Sequence, residues 1–116
     1  MAFKYVRLYA GPDGESHFEE QEFPYNDRQM TEFMALKGWL VRTNTATYDL
    51  GFHTAPRRQY IVNLSGMVEI EASDGEKRNF GPGTIMLAED TTGKGHKSRA
   101  VGSEDRASLW LMLPDE

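Results

Sequence analysis

The sequence predicts an all-β fold, and three features carry that prediction. Short runs rich in β-branched, aromatic and other apolar residues (RQYIVNL, MVEIEAS, KRNF, TIMLAE and ASLWLML) fill the second half of the chain. Turn signals separate them: Ser65-Gly66, Asp74-Gly75, Gly81-Pro82-Gly83 and Gly102. Within the runs, apolar residues recur with period two, as on a pleated strand. Short strands punctuated in this way build a sandwich or a barrel.

Taken in order, KYVRLYA alternates through Val6 and Leu8 and is followed by the turn signal GPDG at 11–14. GESHFEEQEF carries weaker alternation and is expected to return as a second strand. Pro24 and Asn26-Asp27 then mark a loop. From 31 to 48, TEFMALKGWLVRTNTATY reads as strand interrupted near Gly38. Met30, Phe33, Met34 and Leu36 also give partial helical spacing, so a helix through DRQMTEFMALK stopping at Gly38 is the open alternative. Trp39, Val41 and Thr43 alternate along the strand reading and are candidates for one wall of a cavity, with Trp39 as a ligand contact.

From 59 to 64, Gln59, Ile61 and Asn63 share one face, and Tyr60, Val62 and Leu64 share the other. Both faces are partly apolar, so this strand is expected to be covered on both sides. Asp74-Gly75 is the strongest hairpin signal, because a primed turn needs positive φ. Glu89 has the phase of Ile85 and Leu87. If those two line the interior, Glu89 does so too. On the last strand Trp110 and Met112 oppose Leu109, Leu111 and Leu113. A terminal strand apolar on both faces predicts a covering partner, and a homodimer is expected.

Composition sets the outer bounds. The chain has 116 residues, 39% of them hydrophobic, which fits one soluble domain over 1–116. A net charge of −5 with 13 basic residues argues against a nucleic-acid partner. With no cysteine there are no disulfides, thiolate ligands or cysteine nucleophile. No apolar run has signal-peptide or membrane-span length, so no membrane partner and a cytoplasmic location are expected. The GKG at 93–95 lacks the GxxxxGK[ST] spacing of a phosphate-binding loop.

The chemistry concentrates in HTAPRRQYIVNLSG at 53–66 and EDTTGKGH at 89–96. His53, three residues beyond Ala55 to Gln59, and six further residues to Gly66 reproduce the frame of the first cupin motif. That motif runs glycine, five residues, His-x-His, three or four residues, glutamate, six residues, glycine. GPGT at 81–84 with Gly93 and His96 supplies parts of the second motif. On these residues the chain resembles a small cupin of the RmlC-like jelly-roll type. The resemblance covers about 38–113, with N-terminal strands at 3–36, and implies a double-stranded β-helix (a jelly-roll barrel).

The departures fall on the ligands. Thr47 stands at the leading glycine, Ala55 at the second histidine, Gln59 at the glutamate, Thr91 at the proline and Ala100 at the asparagine. The resemblance implies a divalent metal (zinc, manganese, nickel or iron) held by His53, Gln59 and His96. This neutral set lacks the carboxylate of the two-histidine-one-carboxylate triad and should hold metal more weakly. His53 and His96, with Glu89, are the candidate acid–base groups.

Arg57 has the phase of Gln59 and is the candidate contact for an anionic ligand. The polar, glycine-flanked stretch 89–96 reads as a mobile lid. His17, outside the motif frame, reads as a surface histidine. The expected function is binding of a small polar or anionic molecule, with isomerase- or lyase-type proton transfer. The alternative is a metal-free, non-enzymatic ligand-binding or sensory cupin.

Overall fold

The Asp74-Gly75 pair does what its chemistry requires. Gly75 adopts a φ of 97°, and its N–H donates to Ala72 O at 3.0 Å, folding the chain back into an antiparallel hairpin. A computed structural model describes residues 3–115, so the predicted span of 1–116 extends slightly beyond the described residues. Its strands are β1 (Lys4–Ala10), β2 (Ser16–Glu22), β3 (Gly38–Asn44), β4 (Asp49–His53) and β5 (Gln59–Ser65). They continue with β6 (Met67–Ala72), β7 (Lys77–Phe80), β8 (Ile85–Glu89), β9 (His96–Val101) and β10 (Arg106–Met112).

The strands form a six-stranded sheet, ordered β2-β1-β8-β5-β10-β3, and a four-stranded sheet, ordered β4-β9-β6-β7. Pairing is antiparallel except between β1 and β8. The sheets do not close into one continuous barrel. Their facing sides share one core: Leu8, Ile61, Met86 and Ala88 from the larger sheet meet Val68, Ile70, Ala72 and Phe80 from the smaller. The all-β expectation holds, since none of the described residues is helical. No helix is therefore long and apolar enough to cross a membrane.

Residues 31–37 form neither the strand nor the helix that the sequence allowed. Asn26 explains the missing helix. Its Oδ1 accepts from Arg28 N at 2.9 Å and Met30 N at 3.2 Å, a local turn that competes with helical bonding. Gln29 then takes a φ of 59°, outside the helical region. Strand pairing begins at Gly38, where β3 meets Met112 of β10. The sequence reading also lacked β4 and β9 as strands, because their mixed polar composition hides the alternation.

β5 shows its phase clearly. Gln59, Ile61 and Asn63 are buried on the inner side, while Tyr60 and Val62 are half-buried and Leu64 is exposed on the outer side. Cover on that outer side is therefore partial. Tyr5, Phe23 and Tyr60 form an aromatic cluster there, with Tyr5 and Phe23 stacked at 4.3 Å.

Two glycines with positive φ should respond differently to a methyl group. At Gly75 a Cβ would meet nothing within 4 Å, so Gly75→Ala should cost about 1–2 kcal/mol of backbone strain. At Gly66, with φ 70°, a Cβ would lie 2.8 Å from Asp105 O and 2.9 Å from Arg106 Cα. Gly66→Ala should add about 1–3 kcal/mol of overpacking to the same strain. Urea unfolding of the two variants checks this; equal losses would contradict the close approach at Gly66.

Candidate functional site

The inner faces of the two sheets enclose a cavity of about 140 Å³. Its apolar wall comes from core positions that include Ile61, Val68, Ile70, Phe80, Met86 and Ala88. Polar groups interrupt this wall: Gln59 and Asn63 from β5, His53 from β4, His96 and Ser98 from β9, and Arg106 from β10. Alternation explains the residues of β5, β9 and β10, while His53 reaches the cavity through an irregularity in β4 between Leu50 and His53, both of which line it.

The histidines meet through the β4–β9 pairing, in which His53 lies opposite His96. Their ring centroids are 4.3 Å apart with planes inclined by 57°. Gly95 permits the approach. It has a φ of 74°, and a Cβ there would fall 2.1 Å from His53 O. Each imidazole has one nitrogen engaged. His53 Nδ1 lies 2.8 Å from Gly51 O, and since a carbonyl only accepts, Nδ1 carries the proton and Nε2 the lone pair in the neutral ring. His96 Nδ1 lies 2.5 Å from Oδ2 of Asp90, a carboxyl group that is 0% exposed. With Asp90 ionised, His96 Nδ1 donates, and its Nε2 is left for other chemistry.

Among the described residues three buried acceptors have no hydrogen-bond partner: Asn44 Oδ1 on β3, and, beside the histidines, Gln59 Oε1 and Asp90 Oδ1. Gln59 is only 1% exposed and lines the cavity, so its bare amide oxygen is costly unless something binds it. Among the described residues, no three His, Cys, Asp or Glu side chains converge in a metal-holding group. The donors available to a cation are therefore the two imidazoles and the Gln59 amide. Their chemistry fits a divalent metal: both Nδ1 atoms are held by acceptors, the outer-shell arrangement that orients metal-bound histidine, and Gln59 Oε1 is unsatisfied.

Three residues singled out from the sequence lie elsewhere. Glu89 does not line the cavity, because β8 turns Met86 and Ala88 inward rather than Ile85 and Leu87. Its carboxylate instead takes Arg7 Nε and Arg58 Nε, each at 2.6 Å. Arg57 is exposed beyond the start of β5, where strand alternation no longer governs it, and donates to Met112 Sδ at 3.5 Å. Trp39 is 67% exposed on the outer face of β3; Arg42 of that strand reaches the cavity. Trp110, on the inward phase of β10, is the tryptophan of the cavity wall.

Nor is the 89–96 stretch built as a free lid. Lys94 N donates to Gly14 O at 3.1 Å, Ser16 Oγ donates to Gly95 O at 2.8 Å, and Ala55 N donates to Asp90 O at 3.0 Å. A Cβ on Gly93 would lie 2.6 Å from Gly14 O, so the loop is packed tightly on the β1–β2 turn. His17 is a partly exposed residue outside the cavity, bonded to Asp13 and Asp74.

The sequence reading missed Asp90 and Arg106. Asp90 follows Met86 and Ala88 in phase, a signal that was present but rested on choosing the right face of β8. Arg106 shares the phase of Ser108 and Trp110, and only the usual exposure of arginine concealed it.

No family model and no curated protein matches this chain. Solved structures do resemble it. Protein NMB1881 from Neisseria meningitidis aligns with a TM-score of 0.51 at 16% identity, covering 72% of this chain and 81% of that one. The conserved protein SPY1581 of unknown function from Streptococcus pyogenes gives a TM-score of 0.52 at 22% identity, with 75% and 72% covered. A putative ethanolamine utilization protein Q from Salmonella typhimurium gives 0.46 at 10% identity, with 100% and 99% covered. At these identities the first two alignments speak to the fold alone.

The position of Glu89 sets a pH dependence. Burial alone would push its carboxyl up, but the bonds from Arg7 and Arg58 outweigh burial and hold it below the ordinary 4.5. Stabilisation from a depressed carboxyl is present above the unfolded-state pKa and is lost as pH falls through the folded-state value. Urea midpoints should therefore drop more steeply below about pH 4.5 in the wild type than in Glu89→Gln. Parallel acid limbs would mean that the two arginine bonds contribute nothing in solution.

Proposed function

We propose that this chain is a small-molecule-binding protein of the cupin jelly-roll type, whose cavity supports proton transfer of the isomerase or lyase kind. The observation that carries the reading is the His53–His96 pair facing one cavity, with Asp90 held behind His96. Asp90 fixes the ring orientation and tautomer of His96, leaving Nε2 as the nitrogen that would take a proton from a bound ligand. His53, anchored on Gly51 O, can return one from the neighbouring position.

His53, Gln59 and His96 would hold a divalent metal such as zinc, manganese, nickel or iron. When bound, the metal would supply Lewis-acid polarisation of a ligand oxygen. The unpartnered Gln59 Oε1 supports that role. The same atom also suits a ligand N–H or O–H, which is the metal-free reading: a binding or sensory protein with the same pocket. Elemental analysis of tag-free protein separates the two. Near-stoichiometric zinc, manganese, nickel or iron that disappears in both His53→Ala and His96→Ala is the expected result. Protein that takes up none of these metals when each is offered would leave the metal-free reading.

We propose further that two copies associate through the outer face of the larger sheet. β3 is an edge strand of that sheet, and Trp39 and Val41 are 67% and 57% exposed on it. They pair in register with Leu111 and Leu109 of β10, which continue the apolar face. Such an edge beside such a face is a template for a second copy. Light scattering behind size exclusion should give twice the monomer mass, and Trp39→Glu should return the monomer. A wild-type monomer at about 100 µM, well above ordinary dimer affinities, would overturn the proposal.

A further inference from the structure

Arg106 is 8% exposed and lines the cavity, yet among the described residues no carboxylate pairs with it. Its Nε donates to Asn63 Oδ1 at 2.7 Å. That bond alone does not call for a charge. A neutral donor would serve Asn63 without burying a cation, and buried charges are ordinarily paired. Burial, chiefly, pulls the guanidinium down to about 10, with nearby Arg42 adding repulsion and Tyr48 opposing it, so Arg106 stays cationic at neutral pH.

Arg42, an exposed residue of β3, adds a second cation to the cavity lining. Its guanidinium lies 5.3 Å from the Trp110 ring centroid and 5.7 Å from that of Tyr48. None of the lining residues is acidic, although the chain as a whole carries a net charge of −5. The buried Arg106, with no acid among the lining residues and with the carboxylate of Asp90 engaged by His96, makes the Arg106 end of this cavity a site for negative charge.

We infer that the cavity takes a small organic acid, its carboxylate on Arg106 and its apolar body against Ile61, Phe80 and Met86. This inference rests on the proposed reading of the cavity as a ligand site, and it names the class of ligand. Asn63 holds Arg106 by Nε and leaves the terminal nitrogens for a planar, two-oxygen partner. Along β5, Asn63 lies four residues from Gln59, about 13 Å at strand rise. The carboxylate therefore sits toward the Asn63 end, and the reacting part of the acid lies toward the histidines. A cavity of about 140 Å³ resembles in size one of about 150 Å³ that encloses benzene. The acid is therefore small, with a body no larger than one ring or a short branched chain.

The test compares charged and uncharged molecules of one shape on the full chain. Benzoate and benzamide, and 3-methylbutanoate and its amide, are titrated while backbone amide resonances of β5 and β10 are followed by NMR. At least one acid should bind ten-fold or more tightly than its amide. That preference should vanish in Arg106→Gln, with amide binding retained, and be partly kept in Arg106→Lys. Acid and amide binding equally to the wild type would overturn the inference and leave the ligand-site reading standing. Inorganic phosphate binding where both carboxylates fail would overturn the carboxylate assignment. If none of these molecules moves the cavity resonances, both the inference and the ligand-site reading fail. Should Arg106→Gln not fold, the wild-type comparison alone decides.

Discussion

Asn63 is the buried group on which this architecture turns. Its side chain donates to Gly66 O at 2.8 Å and Phe80 O at 3.2 Å, and accepts from Arg106 Nε at 2.7 Å. Its backbone donates to Thr84 O and accepts from Gly83 N. One residue thereby ties β5 to the turn after it, to the end of β7 in the opposite sheet, to the turn before β8 and to the start of β10. An amide buried to 2% exposure needs these bonds, and the fold supplies them. Breaking this hub would leave several buried groups unpaired at once.

Gln59 makes the comparison informative. It occupies the same inward phase of β5, equally buried, yet its Oε1 has no partner. At the Asn63 end of β5 the polar groups close the fold on itself. At the Gln59 end they leave acceptors open and set two imidazoles side by side. The same strand therefore carries a satisfied amide at one end of the cavity and an unsatisfied one at the other.

Most strands and the hairpin turns were legible because their signals are local: period-two alternation in KYVRLYA and RQYIVNL, and positive-φ glycines such as Gly75. β9 was not, since HKSRAV has no apolar stripe and its place depends on pairing with β4 and β6. The pairing of His53 with His96 was legible only through the cupin resemblance, which set both in one pocket. Which face of β8 turns inward was not legible, because Ile85 and Leu87 are as apolar as Met86 and Ala88; that ambiguity put Glu89 in the cavity and hid Asp90. Trp39 was misplaced for a similar reason, as β3 is apolar at Trp39, Leu40 and Val41 alike. Arg106 shows the limit of residue-type expectation: arginine is read as exposed, and only the packed structure shows one inside.

The parallel pairing of β1 with β8 bears on how the chain reaches this state. Val6 must find Met86, and β10 must slot between β3 and β5, before the larger sheet exists. The β1–β2 and β6–β7 hairpins need only local pairing across short turns. The six-stranded sheet waits for the end of the chain. Topologies dominated by such distant pairings fold in about milliseconds to seconds rather than microseconds. During synthesis the β1 edge of the first hairpin stays unsatisfied until β8 follows, an interval in which that edge is open to the wrong strand.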